Sequence, residues 1–290
     1  MTVAMKIHLR CVPCLFEQAL SAARTLELSV ADTRRLVRRV SAAVAGLDWE
    51  QPAPLMGRSI HHAICAITGK DDPYAGLKRE HTESALALLP AAQEAVARAT
   101  DPFATAVQLA IGGNLIDLAS APGREVDVDL CFRQALARPV DADRVRELER
   151  RVAGAGDVLF LADNAGEIVF DRPLLDWIGP ERVTVAVRGG PVINDATVHD
   201  AALAGITDRY RVITTGSDVP GIWLPDCDAA FCARFAAADL VIAKGQGNFE
   251  TLSELNREVF LLFLVKCGAV ADELHAPLGT AVVRLHPSPA

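Results

Sequence analysis

The chain has 290 residues, which is enough for one large domain or two smaller ones. It is 51% hydrophobic and 23% charged, the balance of a globular protein that buries a large core. A formal net charge of −8 argues against general binding to nucleic acid or to an anionic membrane, because like charges repel. A local basic pocket for one phosphate remains compatible with this charge.

No apolar run reaches the roughly 18 to 20 residues that a membrane span needs. The start of the chain, MTVAMKIHLR, lacks the apolar core of a signal peptide. Seven cysteines, an odd number spread over a long chain, argue against a disulfide framework. We therefore expect a cytoplasmic protein with neither a membrane nor a nucleic-acid partner, and the sequence leaves the oligomeric state open.

The first 140 residues predict an all-helical N-terminal domain. Residues 28–47 and 81–100 are rich in Ala, Leu and Arg, and their apolar positions recur at helical spacing. Pro90 is predicted to begin a new helix. Residues 101–120 open with Asp-Pro, a helix cap followed by a first-turn proline. This domain is predicted to span residues 1–140.

After residue 140, short apolar runs alternate with helical segments. Most of these runs are apolar throughout, which is typical of strands that are covered on both faces in a parallel sheet. Residues 141–290 are therefore predicted to form an α/β domain with a mostly parallel sheet. The predicted strands are residues 157–162, 183–188, 210–215, 239–243, 259–266 and 280–285.

Polar side chains follow the carboxyl ends of the predicted strands, where an open parallel sheet binds its ligands. Asp163 and Asn164 follow the first strand, and Asp195 lies beyond the second. Two carboxylates and one amide oxygen suit a hard divalent cation such as Mg²⁺ or Mn²⁺. These three residues are the candidate metal ligands. The alternative is that Asp163 and Asn164 only cap the following helix.

A glycine-rich turn follows the fourth predicted strand and precedes a helix. Lys244 offers a point charge for phosphate, and the backbone N–H groups that follow it can approach an anion. The turn after the third strand offers a second oxyanion site, although both turns also fit a purely structural role. The candidate phosphate-binding residues are Gly216, Ser217, Lys244, Gly245, Gln246, Gly247 and Asn248.

Two further patterns have open interpretations. CVPC (11–14) is half of a zinc site with no second CxxC to complete it, so buried helix cysteines are favoured over a metal site shared with Cys65 or nearby histidines. Asn114 and Asp117 share one helical face. Their side chains either face the candidate site or form local hydrogen bonds, and the sequence favours neither interpretation.

Taken in chain order, these segments resemble the metal-dependent damage-control phosphatases, the ARMT-like family formerly called domain of unknown function 89. The CVPC pair and the compact length are similar to the prokaryotic branch of that family. The matching segments are CVPC (11–14), GGNLIDLA (112–119), DNAGEIVFD (163–171), VRGGPVINDAT (187–197), TGSDVPG (215–221), AKGQGNFETL (243–252) and LFLVKC (262–267).

This resemblance implies a helical N-terminal part and a Rossmann-like three-layer α/β/α part around one divalent metal ion, Mn²⁺, Co²⁺, Ni²⁺ or Mg²⁺. Asp163, Asn164 and Asp195 fall on the family's metal ligands. Lys244 falls on its phosphate-contacting lysine, and Glu167 falls near the reaction centre. The implied substrates are small phosphorylated metabolites, either sugar phosphates or damaged phosphometabolites.

The activity we expect is metal-dependent hydrolysis of phosphomonoesters. The cation serves as a Lewis acid, Lys244 and the amides of residues 245–248 bind phosphate oxygens, and Glu167 orients or deprotonates the attacking water. An aspartate nucleophile is the alternative, although the pattern DxDx[TV] is missing at Asp163. Competing classes are an S-adenosylmethionine-dependent carboxyl methyltransferase, a metal-independent nucleotide-binding protein and a non-catalytic scaffold.

Overall fold

The computed structural model describes residues 5–113, 128–253 and 255–287. The first half of the described chain is helical. Amphipathic segments form helices with polar caps, and the Ser29 hydroxyl accepts a hydrogen bond from the Asp32 backbone N–H at 3.1 Å. The helices of this half are α1 (Cys11–Thr25), α2 (Val30–Ala45), α3 (Ala53–Thr68), α4 (Ala75–Arg98), α5 (Pro102–Gly112), α6 (Val128–Ala137) and α7 (Ala142–Gly154).

Two predicted helix signals have different outcomes. The Asp101 carboxylate accepts a backbone hydrogen bond from the first turn of α5, and Pro102 occupies that turn, as predicted. The prediction that Pro90 begins a new helix is wrong, because α4 runs through it. Leu89 and Ala92 on either side are buried in the core, and this packing outweighs the hydrogen bond that the proline removes.

Strands and helices alternate in the second half of the chain, as the apolar runs predict. Predicted strand ends differ from the observed ones by one or two residues. The elements are β1 (Val158–Leu161), α8 (Glu167–Ile178), β2 (Val183–Val187), α9 (Val198–Leu203), β3 (Arg211–Thr214), α10 (Ala229–Ala237), β4 (Leu240–Lys244), α11 (Gln246–Leu252), β5 (Val259–Leu264), α12 (Gly268–Leu274) and β6 (Ala281–His286).

Among the described residues, the six strands form one sheet in the order β3-β2-β1-β4-β5-β6. Only β6 runs antiparallel to its neighbour, so the predicted mostly parallel sheet is confirmed. The chain order reverses at β1, which has β2 on one side and β4 on the other. This switch point opens a crevice beyond the carboxyl ends of β1 and β4.

Helices cover both faces of the sheet, because successive side chains of a strand point to opposite faces. Val158 and Phe160 enter a core that contains residues of α4, α5, α7 and α8. Leu159 and Leu161 enter a second core, formed with α10, α11 and α12. The result is the predicted three-layer α/β/α arrangement.

A third core joins α1, α2 and α3 away from the sheet, whereas α4, α5 and α7 pack on the sheet itself. The boundary at residue 140 between a helical and an α/β domain stays a prediction, and this packing groups the later helices with the sheet. In the described ranges, no helix combines the length and the apolar character that crossing a membrane requires.

Candidate metal and phosphate site

A cavity of about 280 Å³ lies at the switch point of the sheet. The three candidate metal ligands, Asp163, Asn164 and Asp195, lie in its wall beside Gln246 and Gly247 of α11. Segments of α1 and α3 form the opposite wall. The crevice that the topology predicts is therefore closed on one side by the N-terminal helices.

Backbone pairing beyond the ends of β1 and β2 brings the candidate ligands together. Asn164 and Asp195 form an isolated antiparallel bridge. The Ala196 N–H donates to the Asp163 carbonyl at 2.7 Å, and the Ala165 N–H donates to a carbonyl of the second segment at 2.9 Å. Two residues from one strand end and one from the next thus converge, as the sequence predicts.

The alternative helix-cap role for Asp163 and Asn164 is not what the structure shows. The N-cap of α8 is Gly166, and no side chain caps this helix end. Instead, the Asn164 side-chain amide donates to Asp163 Oδ2 at 3.0 Å and to Glu167 Oε2 at 2.8 Å. The two side chains are therefore committed to the polar cluster in the cavity wall.

Arg188, at the end of β2, contacts both candidate carboxylates. Its Nε donates to Asp195 Oδ2 at 2.6 Å, and its Nη2 lies 3.7 Å from Asp163 Oδ1. The side chain is 1% exposed. Arg188 was not among the predicted site residues, although its position at the end of a predicted apolar strand indicates a place at the ligand-binding edge of the sheet.

Burial raises the pKa of Asp163 well above its usual range, and the negative charges of Glu167 and Asp195 raise it further. Lys266 and Arg188 act in the opposite direction. A divalent cation would relieve the repulsion between these acids. The described residues contain no group of three His, Cys, Asp or Glu side chains that could hold a metal. The amide oxygen of Asn164 is therefore needed to complete the oxygen ligand set, and this set fits a hard divalent cation.

Gly245 allows β4 to pass directly beside Asp163. Its φ of 83° is in the left-handed region, and a Cβ atom there would lie 1.8 Å from Asp163 Oδ2. The chain then enters α11, whose Gln246 and Gly247 line the cavity. Asn248 is buried, and its amide donates to the Lys244 carbonyl at 2.7 Å. Of this predicted phosphate loop, the structure brings Gln246 and Gly247 to the cavity wall.

Lys244 and Glu167 are fully buried and lie behind the cavity wall. The Lys244 ammonium donates to Glu167, to Asp171 and to the Ala110 carbonyl, each at 2.6 Å. The predicted roles, phosphate contact for Lys244 and water activation for Glu167, stay predictions. The observed contacts favour a different role for both residues.

The second predicted oxyanion turn, Gly216-Ser217, is also not brought to the cavity. The Ser217 N–H donates to Thr215 Oγ1 at 3.2 Å, and its hydroxyl donates to Asp226 at 2.8 Å. The Ser217 carbonyl accepts from the Gly189 N–H at 2.8 Å. This turn supports the loop after β2 through these bonds, and its phosphate role stays a prediction.

Three basic residues of the described chain line the cavity: Lys6 and Arg10, which pair with Glu50 and Asp272, and Lys266, which acts on the charge of Asp163. Lys266 follows β5 and is held there by its backbone N–H, which donates to Gln246 Oε1 at 2.9 Å. Lys266 was not among the predicted site residues, because the predicted strand 259–266 included it, whereas β5 ends at Leu264.

The remaining candidates have separate positions. Cys11 and Cys14 line the cavity together with Cys267, and burial raises the pKa of the Cys11 thiol to about 11. Cys65 lies elsewhere, with its sulfur 3.4 Å from His61 Nε2. The residues at positions 114 and 117 lie outside the described residues.

A doubly wound sheet of this strand order defines a Rossmann-like protein, and the acid–amide–acid cluster at its switch point is a candidate site for a hard cation. Within that class, the chain belongs to the damage-control phosphatase ARMT1-like family, because the model of that family's domain matches residues 7–282. This confirms the family that the sequence segments resemble.

Several relatives are similar to the chain over most of its length. Damage-control phosphatase PH1575 of Pyrococcus horikoshii is 34% identical over 286 residues, which covers 96% of this chain and 97% of that protein. A damage-control phosphatase of Archaeoglobus fulgidus is 36% identical over 238 residues, covering 78% of this chain and 80% of that protein. The crystal structure of PH1575, described as a DUF89 family protein, has a TM-score of 0.84 at 31% identity and covers 96% of this chain and 98% of its own.

Proposed function

We propose that the chain is a metal-dependent phosphatase that hydrolyses phosphomonoesters of small metabolites, either sugar phosphates or damaged phosphometabolites. The observation that carries this proposal is the convergence of Asp163, Asn164 and Asp195 in one cavity wall beside two basic side chains, Arg188 and Lys266. Two relatives that carry the name damage-control phosphatase support the reaction class.

The charges around the cavity suit a phosphate dianion. With a cation bound, Asp163 and Asp195 supply two negative charges, and Arg188 and Lys266 supply two positive charges beside them. The other basic residues of the wall, Lys6 and Arg10, pair with Glu50 and Asp272. A divalent cation, Mn²⁺, Co²⁺, Ni²⁺ or Mg²⁺, therefore leaves an excess of positive charge where the phosphate binds. Without that cation the site offers a dianion little attraction, so we expect substrate binding to depend on the metal.

Each residue has a distinct proposed role. Asp163, Asn164 and Asp195 hold the cation, which supplies a Lewis acid for a phosphate oxygen. Lys266 and the backbone beside Gln246 bind the remaining oxygens and stabilise the charge that develops on them. The walls from α1 and α3 hold the leaving group, and a cavity of about 280 Å³ matches a small metabolite.

The test is phosphate release from a panel of phosphorylated sugars and cofactors, with each of the four cations. Asp163→Asn removes a ligand charge and should lower kcat by about 100-fold or more, because the Lewis acid supplies several kcal/mol. The control is Asp157→Asn at the opposite end of β1, where the carboxylate pairs with Arg234. This variant should keep wild-type turnover.

Wild-type turnover in Asp163→Asn would refute the ligand assignment. Methyl transfer from S-adenosylmethionine in the presence of a chelator, with no phosphate release under any cation, would replace the phosphatase by the competing methyltransferase. Tight nucleotide binding without metal and without turnover would instead favour a binding protein.

A further inference from the structure

A buried polar network lies directly behind Asn164 and outside the cavity wall. Asn164 Nδ2 donates to Glu167 Oε2 at 2.8 Å, and Glu167 Oε1 accepts from Lys244 Nζ at 2.6 Å. Lys244 also donates to Asp171 Oδ1 at 2.6 Å. Glu167, Lys244 and Asp171 are all fully buried. Asp171 has no role in the proposed reaction, and Glu167 and Lys244 lie behind the cavity wall, away from the substrate.

This network determines which way the Asn164 amide faces. Its nitrogen carries two N–H donors, and both point to carboxylate oxygens, of Asp163 and Glu167. The opposite orientation would place the Asn164 carbonyl oxygen against these carboxylates, acceptor against acceptor. The contacts therefore fix the amide oxygen as the atom left for a cation.

Lys244 in turn fixes Glu167. Its three N–H donors have three acceptors, and one of these, the Ala110 carbonyl, belongs to the last turn of α5, where the helix dipole favours a positive charge. Gly113 also confines Glu167, because a Cβ atom there would lie 2.8 Å from Glu167 Cγ. Glu167 thus has a lysine on one side and backbone on another, and its second oxygen faces Asn164.

We propose that Lys244 and Glu167 are positioning residues, and that they orient the Asn164 amide so that its oxygen faces the bound cation. This inference rests on the proposed function, because it assumes that Asn164 is a metal ligand. It replaces the sequence-based roles of phosphate contact and water activation with one shared structural task. Outer residues of this kind typically change metal affinity or activity by about 10- to 100-fold when they are mutated.

The first test compares two lysine variants by calorimetric titration with Mn²⁺ alone. Lys244→Met keeps the length of the side chain and removes its charge, so Glu167 loses its ion pair with Lys244 and Mn²⁺ affinity should fall by about 10- to 100-fold. The control is Lys78→Met, since Lys78 is also buried and pairs with two acids, Asp72 and Asp200, each at 2.8 Å. This variant should lose thermal stability and keep its Mn²⁺ affinity.

The second test asks whether orientation is the cause. The glutamine side chain of Glu167→Gln offers only one acceptor oxygen to the two donors, Lys244 and Asn164. One of these donors therefore faces the amide NH₂ group, and Mn²⁺ affinity should fall. Adding Lys244→Met frees that oxygen for Asn164. The double variant should then bind Mn²⁺ more tightly than Glu167→Gln alone, a recovery that general destabilisation cannot produce.

Each outcome decides one claim. Wild-type Mn²⁺ affinity in Lys244→Met would overturn the positioning role, and so would a double variant that binds Mn²⁺ no more tightly than Glu167→Gln alone. Failure of the wild-type protein to bind Mn²⁺, Co²⁺, Ni²⁺ or Mg²⁺ would instead overturn the proposed function itself. Circular dichroism of each variant confirms that the measured chain is folded.

Discussion

At the scale of single residues, Arg188 has opposite effects on the stability of the metal-free protein and on cation binding. Its guanidinium lies between two carboxylates that would otherwise repel, and burial makes that repulsion strong. The same positive charge opposes a cation that binds to these carboxylates. Arg188 should therefore stabilise the metal-free protein, weaken cation binding and strengthen phosphate binding.

Arg188→Met tests this division by thermal unfolding with and without Mn²⁺. Without a cation the melting temperature should fall, because Asp163 and Asp195 lose their ion pairs with Arg188. The corresponding loss in the free energy of unfolding is about 3–5 kcal/mol. The increase in melting temperature that Mn²⁺ causes should be larger than in the wild-type protein. Arg182→Met, at the other end of β2, is the control. There the side chain donates only to backbone carbonyls, so the Mn²⁺ shift should not change.

The convergence of Asp163, Asn164 and Asp195 could be predicted from the sequence, because strand ends in a parallel sheet meet at the same edge. The direction of the Lys244 side chain could not be predicted this way. The strand was predicted to end at residue 243, but β4 includes Lys244. Side chains alternate along a strand, so Lys244 points to the same face as Ile242, into the layer of α5 and α8. An error of one residue changed the expected direction of the lysine.

At the scale of elements, the approach of β4 to the end of β1 depends on one residue without a side chain. Gly245 combines a left-handed φ with a close contact to Asp163. The turn after β4 therefore has a geometry that alanine does not fit. A Cβ atom here would displace either the turn or the ligand.

Gly245→Ala should destabilise the protein by about 1–3 kcal/mol from backbone strain alone and should also weaken Mn²⁺ binding, since the displaced atom belongs to Asp163. The comparison is Gly76→Ala in α4, where a Cβ atom meets nothing within 4 Å. Alanine in a helix is favoured over glycine by roughly 0.5–1 kcal/mol, so this variant should be slightly more stable. Denaturant unfolding and Mn²⁺ titration measure both. A Gly245→Ala protein with unchanged Mn²⁺ affinity would contradict the described contact.

Secondary structure was the part of the fold most open to prediction. Most of the parallel strands are buried apolar runs, with the partly exposed β3 as an exception, and each predicted run corresponds to a strand. The continuation of α4 through Pro90 could not be predicted, because burial of Leu89 and Ala92 depends on packing that the local sequence does not contain. Arg188 and Lys266 lie at strand ends that the sequence indicates, but their common position beside Asp163 depends on the sheet order.

At the scale of the whole molecule, the cavity joins the N-terminal segment to the sheet, and Glu250 lies at this junction. Its backbone carbonyl accepts from the Met5 N–H at 3.0 Å, and its side chain accepts from Gln246 Nε2 at 2.8 Å. Burial raises the pKa of the Cys11 and Cys267 thiols, and the nearby Glu250 carboxyl group raises it further. Burial raises the pKa of Glu250 to about 7.

This shift makes the stability of the protein depend on pH. The pKa of Glu250 is raised from 4.5 in the unfolded chain to about 7 in the folded protein, so the folded state binds more protons between these values. The contribution of Glu250 to stability is therefore fully present below 4.5 and is lost as the pH rises through about 7. Above that pH, the folded protein holds a carboxylate in a poorly solvated position.

Glu250→Gln keeps the shape and the acceptor oxygen for Gln246 but never ionises. It should raise the melting temperature relative to the wild-type protein at pH 8.5, and this gain should shrink as the pH falls to 6. Calorimetric scans across this range measure the difference. Glu94→Gln, an exposed side chain paired with Arg98 one helical turn away, should show no such trend. A difference between Glu250→Gln and the wild-type protein that is the same at both pH values would mean that Glu250 does not titrate near 7, and that its junction with the N-terminal segment is better solvated than the contacts indicate.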